Sequence, residues 1–529
     1  MRSPVSGENI EISPIQKSAI ENRFQILHAD LKKSFLLSES WLETAVNLVG
    51  RDSQGLFIAW LGIFGTYPTD REFEDFNYIL QTRGHQFGIV ETVALRIRNS
   101  AVGHFMAHVN LISTDKEHLV DVSSTSRLIF LTGIQRVVFG LTRSERNIET
   151  YTIIQGTGLF APFDIDEASS QKNKTPKMKL ANIIIINLHS LSLTLERNRF
   201  GRIIREILLP SGRIIKRIIL KDQQLEEKSS VEIPNLIIFN KTITLVEIPD
   251  NLHSIGIYEA LFENNIVKSQ FVLYDFIPFF HAWTVAWDNA AHYNSYIRIA
   301  LFADKVISIS ELVSQQAEAI FMAFSLERND SGAKKQEFKF LNLPSGLAPA
   351  KPNEFRKIID SVVMVGSLEP RKNHIQFLEA LYILSQRGIK VKAEILGSAG
   401  WKNTETLEKI ETLTKLGIDI KRISKIEDET LRSKIGMAQL LIQVSEAEGY
   451  GLPVAEALAL GTKVIVSDIR PLNEFKGDRV QRVKLGDAVG LSDLIEAALS
   501  QPEEFTGPVQ EIESWEEWKK VLFPEIKIN

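Results

Sequence analysis

Two hydrophobic rhythms alternate along residues 360–470. SVVMVG (361–366) is a short apolar run ending at a glycine. HIQFLEALYILSQRG follows, with Leu378, Leu381 and Leu384 on one helical face and Gly388 as its stop. KVKAEILG alternates Val391, Ala393 and Ile395, and NTETLEKIETLTKLG sets Leu407, Ile410 and Leu413 in helical phase before Gly417. The pattern continues as DIKRIS, the helical DETLRSKIGMA, the apolar LLIQVS, a helix starting near Pro453 and the apolar KVIVSD. Short strands that are apolar on both faces, separated by amphipathic helices, predict a parallel sheet joined by right-handed crossovers. The expected fold here is α/β and Rossmann-like.

Upstream, the same rhythm is thinner. HLVDVSS, from residue 118, reads as a strand. Thr132 and Gln135 form a T-x-x-Q capping box, Gly133 opens the helix, and Ile134, Val137, Val138 and Leu141 give it one apolar face. FADKVISISELVSQQAEAIFMAF (302–324) predicts a strand ending near Ser308, a cap at Ser310 and a helical stripe of Val313, Ala317, Ile320 and Phe324. Pro344, Gly346, Pro349 and Pro352 mark a linker. The first 115 residues, with SWLETAVNLVG and DREFEDFNYILQTRG, show helical periodicity only. The expected division is a helical extension over 1–115, a Rossmann-like domain over 116–345, a second over 346–505, and a C-terminal helix over 506–529 returning toward the N-terminal domain.

Composition narrows the class. A chain of 529 residues is too long for one core, and 44% hydrophobic residues supply several. The net charge of −5 excludes a generic nucleic-acid binder. With no cysteine there are no disulfides or thiolate metal sites. The start, MRSPVSGENIEISPIQKS, has no apolar core of a signal peptide, and IIIINL (183–188) is too short to span a bilayer. A soluble, cytoplasmic protein is expected.

The candidate chemistry lies in EAEGYGLPVAEALALGTKV (446–464). LLIQVS is a buried strand, so Glu446 to Leu452 form the loop at its carboxyl end, where open α/β sheets bind ligands. Gly449 and Gly451 let backbone approach a ligand, and Pro453 suits the first helical turn. A helix N-terminus favours a phosphate. Glu448 and Glu456 flank that position. Carboxylates repel phosphate, so they serve better as acceptors for hydroxyls on either side of it. Ribose, diphosphate and sugar have that layout.

EGYGLPVAE resembles the E-x7-E motif of retaining GT-B glycosyltransferases, family 4 above all. VGSLEPRKNH (365–374) resembles their V-G-x-x-x-P-x-K loop, LFADKVISISE the end of their N-terminal domain, and LTGIQRVV (131–138) their first glycine loop. The similarity covers residues 118–520, strongest over 360–475. It implies two Rossmann-like domains facing across a cleft, an acceptor domain first and a nucleotide-sugar donor domain second. It implies that Glu448 holds the donor sugar's hydroxyls, Glu456 the ribose, and Lys372 with Arg371 the leaving diphosphate. Gly133 lets a loop close over the donor, and Gly366, Ser367, Gly449, Tyr450, Gly451 and Leu452 line the donor site. Asp275 and His253 are the candidate catalytic residues of the N-terminal domain lining the cleft. No metal and no cofactor are implied, only a nucleotide-diphosphate sugar as co-substrate and a glycan or lipid-linked saccharide as acceptor. The E-P-R-K-N stretch tilts the donor toward GDP-mannose. Many relatives carry Arg where this chain has Ser367, and Arg371 is the candidate to replace that charge.

Other readings compete. Glu448 could be a solvated loop carboxylate, Lys372 and Arg371 ordinary helix-start charges, Gly133 a helix-opening residue and His253 a core or surface histidine. His104 and His108 have i, i+4 spacing, but no glutamate follows His104, so structural histidines are favoured over a zinc site. Asp164 and Asp166 mimic a metal-binding D-x-D by coincidence. The basic stretch 197–221 could rest on an anionic membrane surface, although Pro210 and Gly212 break it and favour a solvated face. The same fold could also serve a nucleotide-sugar epimerase, or a degenerate scaffold that docks a partner glycosyltransferase through the helical extension.

Overall fold

The structure is a computed structural model of the chain. It describes residues 12–97, 106–127, 133–142, 147–154, 157–165, 233–249, 251–327, 336–351, 354–500 and 514–524. The basic stretch 197–221, Asp166, His104, Thr132 and the loop 166–179 lie outside them. The chain forms two compact units, one of Met1–Arg127 with Thr142–Ser269, the other of Leu128–Leu141 with Gln270–Asn529. These cuts differ from the expected boundaries after residues 115 and 345, because compactness follows contacts rather than sequence order.

In the first unit the helices are Pro14–Asp30, Trp41–Val49, Ser53–Phe64, Asp70–Arg83 and His85–Ile97. Ser13 with Gln16 and Thr69 with Glu72 form capping boxes, and Ser40 and Asp52 cap two more N-termini. Gly55–Phe64 is buried on every side. Arg23 is 1% exposed and ties this helix down, donating to the carbonyls of Gly62 (2.9 Å), Ile63 (2.7 Å) and Met106 (2.8 Å). The helical segment therefore shares one unit with the strands that follow it. Those strands are β1 (Val109–Ile112), β2 (His118–Asp121), β3 (Ile148–Ile154), β4 (Leu159–Pro162), β5 (Ile233–Leu236) and β6 (Thr242–Leu245). They run in the order β4-β3-β2-β6, with β2 parallel to β3 and β6 and β4 antiparallel to β3, beside a parallel β1–β5 pair.

The chain passes into the second unit within β7 (Lys268–Leu273). β8 (Lys305–Ser308) and β9 (Glu337–Phe340) follow it in parallel succession. As expected, Ser310 caps the helix Glu311–Glu327, its Oγ accepting from Val313 N. A second sheet holds β10 (Ser361–Val365), β11 (Lys392–Leu396), β12 (Ile420–Ile423), β13 (Leu440–Gln443), β14 (Lys463–Ser467) and β15 (Val480–Val483). Its order is β12-β11-β10-β13-β14-β15, parallel throughout. The expected helices are present as His374–Gln386, Thr404–Lys415, Asp428–Met437 and Leu452–Ala459. Val362, Met364, Leu378, Leu381, Ile395, Ile442 and Ile465 meet in one core, which the strand and helix periodicities required. The helix Gly133–Thr142 also belongs to this unit, and Gly140 leaves no space for a Cβ against Trp515. The helix Trp515–Leu522 buries Trp518, which donates to the Asn342 carbonyl at 2.9 Å. Among the described residues no helix is long and apolar enough to cross a membrane. The fold class is thus mixed α/β with parallel sheets.

Candidate functional site

In the six-stranded sheet the chain turns from β10 toward β11 on one side, while β13 flanks β10 on the other. The carboxyl ends of β10 and β13 therefore form a topological switch point, where loops part and leave a crevice. The loop after β10 runs through Gly366, a 3-10 turn at Pro370–Lys372 and Asn373 before its helix. Gly366 has φ +145° and the Lys372 stem passes 3.2 Å from where a Cβ would sit, so only glycine suits this turn. The loop after β13 reaches the helix Leu452–Ala459 through Gly451, whose φ is +112°. Glu446 N donates to Arg371 O at 2.8 Å and joins the two loops.

Glu448 stands at their junction. Its Oε1 accepts from Lys372 Nζ (2.6 Å), Gln443 Nε2 (2.6 Å) and Ser445 Oγ (2.7 Å), and its Oε2 from Arg371 Nη1 (3.1 Å). Burial raises this carboxyl, but Lys372 and Arg371 outweigh it and hold the group down at about 2. Burial in turn lowers the Lys372 ammonium, against the pull of Glu448. Arg371 also pairs with Glu369 at 3.1 Å, and Ser367 Oγ donates to the same carboxylate. A charged triad so largely withdrawn from water is stable only while its members stay paired.

Asp275 comes to the same place from the end of β7. Its carboxylate accepts from Ile277 N at 2.8 Å, and burial raises its pKa against the pull of that N–H and of Arg371. Gly449 is pressed against this segment, since a Cβ there would meet Tyr274 O at 2.2 Å. Ser310 Oγ donates to Gly449 O at 2.7 Å. Tyr450 is buried against Phe475, ring centroids 5.2 Å apart. No side chain among the described residues caps the helix Leu452–Ala459; Val454 N and Ala455 N both donate to Gly451 O, so what this helix start offers an anion is the positive end of its dipole.

Glu456 lies in the second turn of that helix, 1% exposed. Its Oε1 accepts from Arg136 Nη1 at 2.8 Å, and Arg136 also donates to Asp428 Oδ1 from Nε (3.2 Å) and Nη2 (2.8 Å). Burial raises the Glu456 carboxyl to about 7, with Arg136 opposing and Asp428 adding to the shift. Gly133 sits at the first residue of the helix that carries Arg136. His253 belongs to the first unit, in the first turn of the helix Leu252–Glu263, and helps lower the Glu72 carboxyl there. Glu448 belongs to the second unit.

Five residues outside the expected set join this site. Gln443 and Ser445 bond Glu448 within five positions of it, a signal present in the run QVSEAE. Arg136 and Asp428 bracket Glu456 from distant sequence, and nothing local announces them. His374 follows the loop directly, is 2% exposed, and has both ring nitrogens without a hydrogen-bond partner among the described residues. Burial, then Lys372, pulls its imidazole down to about 4, so it is neutral at ordinary pH.

Residues 351–510 match the family model for glycosyl transferases group 1. All of the loops just described from β10 to the Leu452–Ala459 helix fall inside that segment. A serotype-specific mannosyltransferase, WbdA of Escherichia coli, is 30% identical over 160 residues, 30% of this chain and 20% of that protein. The O-antigen chain mannosyltransferase B of Escherichia coli is 30% identical over 115 residues, 22% of this chain and 30% of that protein. The chain thus spans about a fifth of WbdA's length. Among solved structures, Anabaena HepE with UDP and glucose is 14% identical at a TM-score of 0.44, covering 74% of this chain and 91% of that one. The pneumococcal O-GlcNAc transferase GtfA with UDP and GlcNAc is 17% identical at 0.37, covering 54% and 57%.

Proposed function

We propose that the chain is a retaining, metal-independent glycosyltransferase of the GT-B kind. It moves a hexose from a nucleotide-diphosphate sugar, GDP-mannose by preference, to a glycan or lipid-linked saccharide in surface polysaccharide assembly. The observation that carries this reading is Glu448 held by Lys372 and Arg371 at the switch point between β10 and β13. The match of residues 351–510 to group 1 glycosyl transferases supports it, and the mannosyltransferase relatives support the donor. The diphosphate lies against Lys372, Arg371 and the uncapped helix start. Glu448 then exchanges its cations for the sugar's hydroxyls, and Glu456 takes the ribose. As the bond from the sugar's C1 to the diphosphate oxygen breaks, the electron pair leaves on the diphosphate. Two fixed cations and the positive end of the helix dipole meet that charge without reorganising. An acceptor hydroxyl oxygen bonds to C1 on the same face and gives its proton to the departing diphosphate oxygen, with Asp275 lining that side. His253 stays a candidate to line the cleft. The protein works at the cytoplasmic face, where lipid-linked acceptors lie.

The test is transfer of labelled mannose from GDP-mannose to a mannosylated acceptor, with product anomers resolved by NMR. Wild type gives a product of retained configuration, and Glu448→Gln loses on the order of 10²–10³ in rate. An epimerised donor without transfer would replace this reading with the epimerase. No product and no nucleotide binding would leave the scaffold.

A further inference from the structure

The carboxylate of Glu456 is divided. Its Oε1 is bonded to Arg136 at 2.8 Å, while its Oε2 is buried and has no hydrogen-bond partner among the described residues. Arg136 is itself fixed, since its Nε and Nη2 both donate to Asp428 Oδ1. Gly346 closes the other side, because a Cβ there would meet Arg136 Cδ and Glu456 Oε1 at 3.0 Å each. A buried acceptor left without a donor carries a desolvation penalty that an incoming hydroxyl would relieve. An arginine bonded through three N–H groups to two acids is a rigid brace rather than a mobile surface charge.

We infer that Arg136 is a positioning residue for nucleoside recognition: it pins one oxygen of Glu456 and leaves the other, Oε2, as the acceptor for a ribose hydroxyl. This rests on the proposed role of Glu456 at the ribose. Two charged groups face that carboxyl, Arg136 from the helix Gly133–Thr142 and Asp428 from the helix Asp428–Met437, and they act in opposite directions on it. Arg136 keeps Glu456 ionised against burial, and Asp428 works against ionisation. The hydroxyl therefore meets a charged acceptor above about pH 7 and a neutral one below it. Charge-assisted hydrogen bonds are about twice as strong as neutral ones, so ribose preference should weaken as pH falls through that value.

The experiment is calorimetric binding of GDP and of 2′,3′-dideoxy-GDP to the full chain on both sides of neutral pH, with the uridine pair as a second probe. Wild type should prefer the ribonucleotide by about tenfold above neutrality, and less below it. Arg136→Gln should move that fall to higher pH, Asp428→Asn should move it to lower pH, and Arg136→Lys should restore much of the wild-type profile. A merely structural ion pair would lower the melting temperature of each variant without shifting the profiles in opposite directions. Profiles that coincide with wild type overturn the inference, and Asp428→Asn with wild type decides it should Arg136→Gln fail to fold. Binding without any ribose preference in wild type removes Glu456 from the ribose and the inference with it, while leaving the Glu448 reading standing. Failure of wild type to bind either diphosphate overturns both.

Discussion

Two carboxylate clusters occupy equivalent places in the two units, each at the carboxyl ends of adjacent parallel strands. In the first unit Asp121 ends β2 and Glu247 follows β6. Asp121 accepts from Tyr258 OH at 2.6 Å and Ser123 N at 2.8 Å, and Glu247 accepts from Thr125 N at 2.9 Å and Thr125 Oγ1 at 2.7 Å. Burial, then Asp121, pushes Glu247 up to about 8. In the second unit the Glu448 side chain is 8% exposed, yet Lys372 and Arg371 hold its carboxyl down at about 2. Glu247 is therefore largely protonated at neutral pH, and the first cluster knits strand ends together. The second is ionised and stores two cations that an anionic ligand can claim. Burial is common to both, and the neighbours decide whether a carboxyl becomes structure or a site.

Breaking the second cluster should have the largest effect. Glu448→Gln should slow transfer by the order of 10²–10³ stated above while leaving the chain folded, read by circular dichroism beside the transfer assay. Its loss also removes a pH dependence. Because the folded carboxyl sits at about 2, below an unfolded value of about 4.3, its stabilisation is present above the unfolded value. It is lost as pH falls toward the folded one. Acid titration of stability should be steeper in wild type than in the variant.

Lys372→Ala leaves Glu448 buried with one cation instead of two. Stability should fall by about 3 kcal/mol in urea denaturation, and nucleotide diphosphate should no longer raise the melting temperature. A loss below about 0.5 kcal/mol would mean that the pair behaves as a surface bridge. Gly449→Ala drives a Cβ onto the Tyr274 carbonyl and should cost about 1–3 kcal/mol, with weaker transfer because the Glu448 loop shifts.

The smallest effect sharpens the comparison from the other side. Glu247→Gln replaces a group already protonated near neutrality, so stability at mildly acidic pH should change by less than about 1 kcal/mol. In wild type the folded pKa lies above the unfolded one, so stability declines as pH rises from the unfolded value through about 8. The variant should lack that decline, measured by thermal melts across the same range. A variant that loses activity at every pH would assign the first cluster a role in the reaction.

Local periodicity made much of the second unit legible. The apolar runs SVVMVG and LLIQVS became β10 and β13, and Pro453 opened a helix that begins at Leu452. Hydrophobic spacing reports a strand or helix because each element buries its own side chains in a fixed period. The placing of Lys372, Arg371 and Glu448 in one site rested on the family resemblance, and the sheet order shows how they meet, since β10 and β13 are adjacent parallel strands that deliver their loops to one end. The first unit was harder to read. Arg23 bonds carbonyls some 40 residues away and further, and a buried arginine without an acidic partner has no sequence signal.

By itself the sequence determined the alternating α/β architecture of residues 360–500, the glycine turns and the acidic and basic residues of the two loops, since all of these follow from short-range sterics and periodicity. Only the tertiary structure decided which charges were paired. Arg136 reaches Glu456 across 320 positions, and the helix that carries it joins the second unit although the chain on both sides belongs to the first. Pairing at that range depends on how separately stable elements pack, and the free energy of a buried charge depends on the few groups that packing brings within hydrogen-bond reach.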